Sequence, residues 1–144
     1  MLIFRGMRMS TKMVPTEAQE QSALFQWAGR MQGRYPALGL MYHIPNGGSR
    51  NPIEARHLKT QGVKAGIPDI CIPVSNGRYA ALYIEMKRTK GGRVSEEQKA
   101  WITALNRAGN LAIICRGWEE ARRAIMDYLS ENRGRKNDGY CDGT

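Results

Sequence analysis

Between residues 16 and 130, helix-start signals alternate with short runs of strand-forming residues. Two of the starts are capping boxes, and a third has an Asn cap followed by proline at the first helical position. A fourth segment repeats apolar residues at helical spacing. The sequence therefore predicts four helices, over residues 16–32, 51–62, 95–107 and 118–129.

The runs between these helices are short, apolar and rich in β-branched and aromatic residues. They predict four strands, over residues 38–44, 69–74, 79–87 and 111–115, with a hairpin turn at 75–78. The resulting order α, β, α, β, β, α, β, α predicts an α/β fold, in which helices flank a four-stranded mixed sheet. We expect one domain at 16–130, a flexible arm at 1–15 and a flexible tail at 131–144.

The charge of the chain narrows the functional classes. Lys and Arg number 22 against 13 Asp and Glu, a formal net charge of +9. A small basic chain typically binds a polyanion, with nucleic acid as the first candidate, although surface charge also serves solubility. No apolar run is long enough to span a bilayer or form a signal peptide, so we expect an intracellular protein without a membrane partner.

Cysteine and histidine are too few and too scattered for several kinds of site. The three cysteines have no CxxC spacing, and there are only two histidines. A disulfide scaffold, a thiolate zinc site and a histidine-rich metal site are therefore not expected. We also expect no organic cofactor.

Two predicted strands carry acidic residues among apolar neighbours. Glu85 and Lys87 lie two residues apart in one strand and so project from the same face. If the hairpin brings Asp69 beside Glu85, the two carboxylates repel each other unless a cation lies between them. Hard oxygen ligands favour Mg²⁺ or Mn²⁺, which can activate water and hold a phosphoryl oxygen. The alternative is a surface salt bridge between Glu85 and Lys87.

The register of the hairpin decides whether this site can form. A two-residue turn at Asn76 and Gly77 would pair Asp69 with Ile84 and turn Glu85 to the opposite face. We therefore expect a loop with an odd number of residues, or a bulge near Asp69.

Glu20 lies at the head of the inward face of the first predicted helix. Its carboxylate is either a favourable charge at the helix N-terminus or a buried ligand. Helical spacing leaves both possibilities open.

Several segments together resemble a known family. They are Ile44-Pro45-Asn46-Gly47-Gly48, Gly62-Val63-Lys64-Ala65-Gly66-Ile67-Pro68-Asp69, Ile84-Glu85-Met86-Lys87 and Ser95-Glu96-Glu97-Gln98. This set resembles the virus-type replication-repair nuclease domain, VRR-NUC, of the PD-(D/E)XK superfamily, in a stand-alone phage or bacterial form. The resemblance extends from about Glu17 to Leu129 and implies a restriction-endonuclease-like core.

The resemblance implies a role for each matching residue. Asp69, Glu85 and the carbonyl of Met86 correspond to Mg²⁺ ligands, with Mn²⁺ as a substitute. Glu20 corresponds to a first-helix glutamate that completes the acidic cluster. Lys87 corresponds to the catalytic lysine, and Gln98 to a helix glutamine that faces the site. Stand-alone members imply a homodimer that acts on branched DNA in repair, above all on Holliday junctions.

Five further residues are candidates for DNA binding: Asn46, Lys64, Arg88, Lys90 and Arg93. Each has a simpler alternative. Asn46 can belong to a plain turn, Lys64 to a loop after a helix end, and the three later residues to a solvated basic loop.

We therefore expect a Mg²⁺-dependent DNA endonuclease that resolves four-way junctions as a homodimer. One alternative is a flap-directed or general DNA nuclease on the same scaffold. The other is a basic DNA-binding module without activity, which carboxylates beside a phosphate disfavour because they repel it.

Overall fold

The computed structural model describes residues 12–48 and 50–131. Its helices and strands follow the predicted order, with one short 3-10 helix added after the first helix. The elements are α1 (Glu17–Met31), the 3-10 helix (Pro36–Leu40), β1 (Tyr42–His43), α2 (Pro52–Thr60), β2 (Ile70–Ile72), β3 (Leu82–Lys87), α3 (Glu96–Arg107), β4 (Leu111–Arg116) and α4 (Trp118–Ser130). Residues 1–11 of the predicted arm and 132–144 of the predicted tail lie outside the described residues.

The four strands form one mixed sheet in the order β1-β2-β3-β4. β2 runs antiparallel to β1 and to β3, whereas β4 runs parallel to β3. The predicted α/β fold with a four-stranded mixed sheet is therefore confirmed.

One face of the sheet forms the core against α1 and α4. Ile84 and Met86 of β3 pack there with Leu24 of α1 and Ile125 of α4. Side chains alternate along a strand, so Glu85 and Lys87 project from the other face, on which α3 contacts β4. The burial of Ile84 and Met86 thus determines the face from which Glu85 and Lys87 project.

The predicted helix starts are confirmed in detail. Thr16 and Ser95 each close a capping box, and the side chain of Asn51 accepts hydrogen bonds at the start of α2. These caps satisfy backbone N–H groups that a helix end leaves without partners.

The strand predicted over 38–44 is wrong for most of its length. Pro36 begins a 3-10 helix, and only Tyr42 and His43 pair with β2. The tight helical turn lets Leu38 and Met41 both enter the core. In an extended chain, residues three positions apart project from opposite faces, so only one of the two could be buried there.

The strands of the predicted hairpin are shorter than expected, because the ladder ends at the pair Ile72–Leu82. The chain reverses within residues 73–81, where the Asn76 side chain accepts hydrogen bonds from the backbone N–H groups of Arg78 and Tyr79. The buried Asn76 amide also donates to the Tyr128 carbonyl. The turn lies where the sequence predicts it. Its residues are hydrogen-bonded to α4, however, and do not continue the pairing of β2 with β3.

Within the described part of the chain, no helix has both the length and the apolar character needed to cross a membrane.

Candidate active site

The register of β2 and β3 places two acidic residues side by side. Ile70 pairs with Ile84, so the next position of the same ladder brings Asp69 opposite Glu85. Directly opposed residues share a face of the sheet. The connection over 73–81 has nine residues, so the prediction of an odd-numbered loop is confirmed. Asp69 Oδ2 also accepts a 2.8 Å hydrogen bond from the Met86 N–H, which holds this carboxylate against β3.

Glu85 is a buried carboxylate with one oxygen unused. Only 2% of the residue is exposed. Its Oε1 accepts a 2.7 Å hydrogen bond from Gln98 Nε2, whereas its buried Oε2 has no hydrogen-bond partner in the described structure. Burial, and then the negative charge of Asp69, raise the pKa of Glu85 to about 8, although Lys87 acts in the opposite direction. A cation at Oε2 would compensate for both effects.

Lys87 lies between two carboxylates at the end of β3. Its Nζ is 3.6 Å from Glu85 Oε1 and 3.6 Å from Glu17 Oε1. The lysine side chain is only 6% exposed, whereas that of Glu17 is 43% exposed. The amine is therefore held at one position, beside the acidic pair.

Glu20, predicted to complete the acidic cluster, has its observed hydrogen bond at the start of α4. The Glu20 carboxylate is buried, and its Oε2 accepts a 2.8 Å hydrogen bond from the Trp118 N–H at the start of α4. This contact satisfies a backbone donor that the α4 cap residue, Gly117, cannot satisfy. The carboxylate of α1 that reaches Lys87 is Glu17.

The sequence analysis does not single out Glu17, which the structure shows as an ion-pair partner of Lys87. Glu17 and Glu20 are three residues apart and lie on neighbouring positions of one helix side. Helical spacing alone cannot choose between them, because the choice depends on how α1 crosses the end of β3.

Gln98 makes both of the contacts predicted for it, one in the capping box and one in the site. Its Oε1 accepts a 2.9 Å hydrogen bond from the Ser95 N–H and completes the capping box of α3. Its Nε2 donates to Glu85. The start of α3 is thereby connected to the acidic pair.

The candidate DNA-binding residues fall into two groups. Asn46 and Lys64 line one cavity of about 280 Å³, between the loop after β1 and α2, together with Gly47, Lys59 and Val63. No hydrogen bond or ion pair within the described residues joins this cavity to Asp69 or Glu85.

The second group lies in the loop after β3. Lys90 and Arg93 are exposed. Arg88 is partly buried and donates a 3.3 Å hydrogen bond to the Val14 carbonyl, and its Nε is buried without a partner in the described structure. Lys90 and Arg93 are thus open to a ligand, whereas Arg88 joins this loop to the segment before α1.

The acidic pair Asp69 and Glu85 provides oxygen atoms of the kind that bind a divalent cation. Within 12–48 and 50–131, no three His, Cys, Asp or Glu side chains form a group able to hold a metal ion. Mg²⁺, however, usually binds one or two carboxylates and completes its shell with water and substrate phosphate. Asp69 and Glu85, with the unused Glu85 Oε2, fit that pattern.

Comparison with known proteins relates the chain to a protein family and to a solved structure. The model of the VRR-NUC domain family matches residues 16–119. A solved structure described as a VRR_NUC domain protein is 28% identical, with a TM-score of 0.71, and the match covers 83% of this chain and 92% of that chain. Comparison with curated proteins gives no match. The chain therefore belongs to the VRR-NUC family, which makes it a nuclease of the PD-(D/E)XK type.

Proposed function

We propose that this chain is a Mg²⁺-dependent DNA endonuclease that hydrolyses phosphodiester bonds in branched DNA and resolves four-way junctions as a homodimer. The observation that supports it best is the buried Glu85, whose free Oε2 lies in a site shared with Asp69 and Lys87. A surface salt bridge would not need two opposed carboxylates and a buried amine.

Asp69 and Glu85 would hold Mg²⁺, with the Met86 carbonyl as a third ligand and Mn²⁺ as a substitute. The bound ion supplies Lewis-acid chemistry at the phosphoryl group. Gln98 keeps Glu85 Oε1 in place through its 2.7 Å hydrogen bond and leaves Oε2 for the cation.

Besides the metal ion, the site has a positive charge of its own, the amine of Lys87. This amine orients the attacking water and stabilises the charge that develops on the phosphate oxygens. Glu17 is the second carboxylate within ion-pair distance of this amine. We therefore propose Glu17 as the first-helix carboxylate of the site, and Glu20 as a residue that positions α4.

The DNA backbone would contact both groups of candidate binding residues. Lys90 and Arg93 follow β3 directly, and Asn46 and Lys64 share the cavity beside α2. Arg88 supports this loop from within. Phosphate contacts of this kind give affinity without sequence preference, and their strength falls with added salt.

A homodimer explains how a short chain can select a branched substrate. Two active sites related by a two-fold axis have a fixed separation. A junction is cut twice when the distance between its two scissile phosphates matches that separation. This proposal places the protein inside the cell, where such DNA intermediates arise. The alternative is a flap-directed or general DNA nuclease on the same scaffold.

The test incubates the purified chain with Mg²⁺ or with EDTA, on labelled linear duplex, flap, fork and four-way junction DNA. We expect Mg²⁺-dependent cutting of the junction into two nicked duplexes, with slower cutting of the linear duplex. Equal cutting of duplex and junction would favour the general nuclease. Binding without cutting of any substrate would favour the DNA-binding module.

A further inference from the structure

Arg116 has no role in the proposed chemistry, yet it lies beside the catalytic lysine. β3 and β4 are parallel, and Arg116, the last residue of β4, pairs in register with Lys87. The backbone continues this contact, because the Gly117 N–H donates a 2.9 Å hydrogen bond to the Lys87 carbonyl. Paired residues of neighbouring strands project from the same face. The Arg116 side chain therefore starts from the same side of the sheet as Lys87.

The Arg116 guanidinium binds three main-chain carbonyls of the loop that follows β3. Nη1 donates to the carbonyls of Gly91, at 2.6 Å, and Arg88, at 3.4 Å, and Nη2 donates to that of Gly92, at 3.3 Å. In the described structure no carboxylate lies within ion-pair distance of Arg116. A rigid fork with several N–H donors can bridge several carbonyls in a way that a single amine cannot.

The loop so held lies close to the Lys87 side chain. Gly91 and Gly92 have φ angles of 74° and 73°, which curl the chain tightly. At Gly92 a Cβ would lie 3.3 Å from Glu17 Oε1 and 3.6 Å from Lys87 Cδ. The loop at Gly92 therefore lies next to the stem of Lys87 and to the Glu17 carboxylate, with little room for a larger residue between them.

We propose that Arg116 is a positioning residue, which fixes the 88–92 loop beside Lys87 and so holds the amine at the acidic pair. The inference rests on the proposed function in one respect only, namely that Lys87 takes part in catalysis. The clamp, by which we mean the three hydrogen bonds from Arg116 to the carbonyls of Arg88, Gly91 and Gly92, is a property of the folded chain. It can be measured without DNA.

The first measurement is local proteolysis. Trypsin sites lie after Arg88 and Lys90 within the loop and after Arg93, which follows it directly. Cleavage of a transiently opened segment follows the population of its open form, so loss of three hydrogen bonds in Arg116→Ala should speed cutting at these sites about tenfold or more. Mass spectrometry assigns each cut. Arg116→Lys should be nearly as sensitive, because all donors of an ammonium lie on one nitrogen, whereas two separate guanidinium nitrogens bind the three carbonyls. Arg107→Ala, which removes a charge near the other end of β4, is the control and should cut as the unmodified chain does.

The second measurement separates positioning from DNA binding. If Arg116 positions Lys87, both Arg116→Ala and Arg116→Lys lower kcat about tenfold or more with KM little changed, because the lysine is displaced and not the DNA. A loop as resistant to trypsin as in the unmodified chain would overturn the clamp. So would a KM raised by Arg116→Ala and restored by Arg116→Lys, which is the pattern of a phosphate contact. If the unmodified chain cut no DNA, the proposed function would fail while proteolysis still decided the clamp.

Discussion

Gln98 donates a 2.7 Å hydrogen bond to Glu85 and at the same time closes the capping box of α3. The two ends of one amide thus have opposite tasks, since its oxygen accepts from the Ser95 N–H and its nitrogen donates to the carboxylate. The start of α3 and the active-site strand are therefore positioned relative to each other by one side chain. A residue type with an acceptor and a donor on one planar group is needed for both contacts.

Gln98→Glu separates the two tasks. Glutamate is a good third residue of a capping box, so α3 should keep its cap. Its second oxygen would meet Glu85 Oε1 without a proton to donate. In the cleavage assay with Mg²⁺, which needs Glu85 ionised, the like charges should displace Glu85. We expect cleavage to fall about tenfold or more while the melting temperature changes little. Ser95→Ala is the matched control, because it should cost about 1 kcal/mol of stability and leave cleavage nearly unchanged. Normal cutting by Gln98→Glu would show that Glu85 does not need the amide.

Local signals predicted the parts of the fold that local physics decides. The capping residues Thr16, Asn51 and Ser95 could be derived from the sequence, because each depends on nearby backbone geometry. The odd-numbered connection before Glu85 followed instead from the requirement that Asp69 and Glu85 share one face of the sheet. The error at 38–44 arose because strand-forming composition does not show how Leu38 and Met41 reach the core.

Contacts between distant segments were not accessible in the same way. Arg116 lies far from Arg88 and Gly91 in sequence, and only the parallel pairing of β3 with β4 brings it to them. Likewise, the crossing of α1 over the end of β3 selects Glu17 for Lys87 and leaves Glu20 for Trp118.

The two glutamates of α1 should respond to substitution in opposite ways. Glu17→Gln removes the charge that holds Lys87, so we expect cleavage to fall about tenfold with little change in stability, because the Glu17 side chain is half-exposed. Glu20→Gln weakens the buried hydrogen bond to the Trp118 N–H and should cost about 1–2 kcal/mol in urea unfolding. Assays of both variants for melting and for junction cutting test the assignment. A larger loss of cutting in Glu20→Gln, at unchanged stability, would return the catalytic role to Glu20.

Asp69→Asn should abolish cleavage without loss of the fold. The amide keeps the shape of the side chain, but it removes the negative charge that a divalent cation needs. Junction binding should survive or tighten, because the basic surface remains and one charge that repels phosphate is gone. Calorimetry with Mn²⁺ should show lost metal binding in Asp69→Asn, whereas Glu96→Gln, on the exposed start of α3, should bind as the unmodified chain does. Retained cutting with Mg²⁺ would remove Asp69 from the site.

Glu85 should make stability depend on pH when no metal is present. Its pKa of about 8 in the folded chain lies above the value of about 4.3 for an unfolded carboxyl, so the folded state holds a proton that the unfolded state releases. The associated stability is complete below the unfolded pKa and is lost as pH rises through the folded pKa. Urea unfolding in EDTA should therefore show a free energy of unfolding that falls between roughly pH 5 and 9.

Glu85→Gln is the control for this pH dependence, because the amide does not titrate. We expect its unfolding free energy to change less over the same range. Mg²⁺ needs the ionised carboxylate, so metal affinity in the unmodified chain should rise with pH up to about 8. An equal pH slope in Glu85→Gln and in the unmodified chain would show that Glu85 is ionised throughout.

Mixed dimers test the proposed resolution of junctions. Unmodified chain and a tagged Asp69→Asn chain, co-purified as a heterodimer, should have one working site and one that binds DNA without cutting it. Because the two sites of a symmetric dimer act on two strands, we expect such heterodimers to nick one strand of a four-way junction and to release few resolved duplexes. Denaturing and native gels of the same reaction distinguish nicks from resolution. A monomer by light scattering at micromolar concentration, together with full resolution by the mixed sample, would exclude the dimeric mechanism.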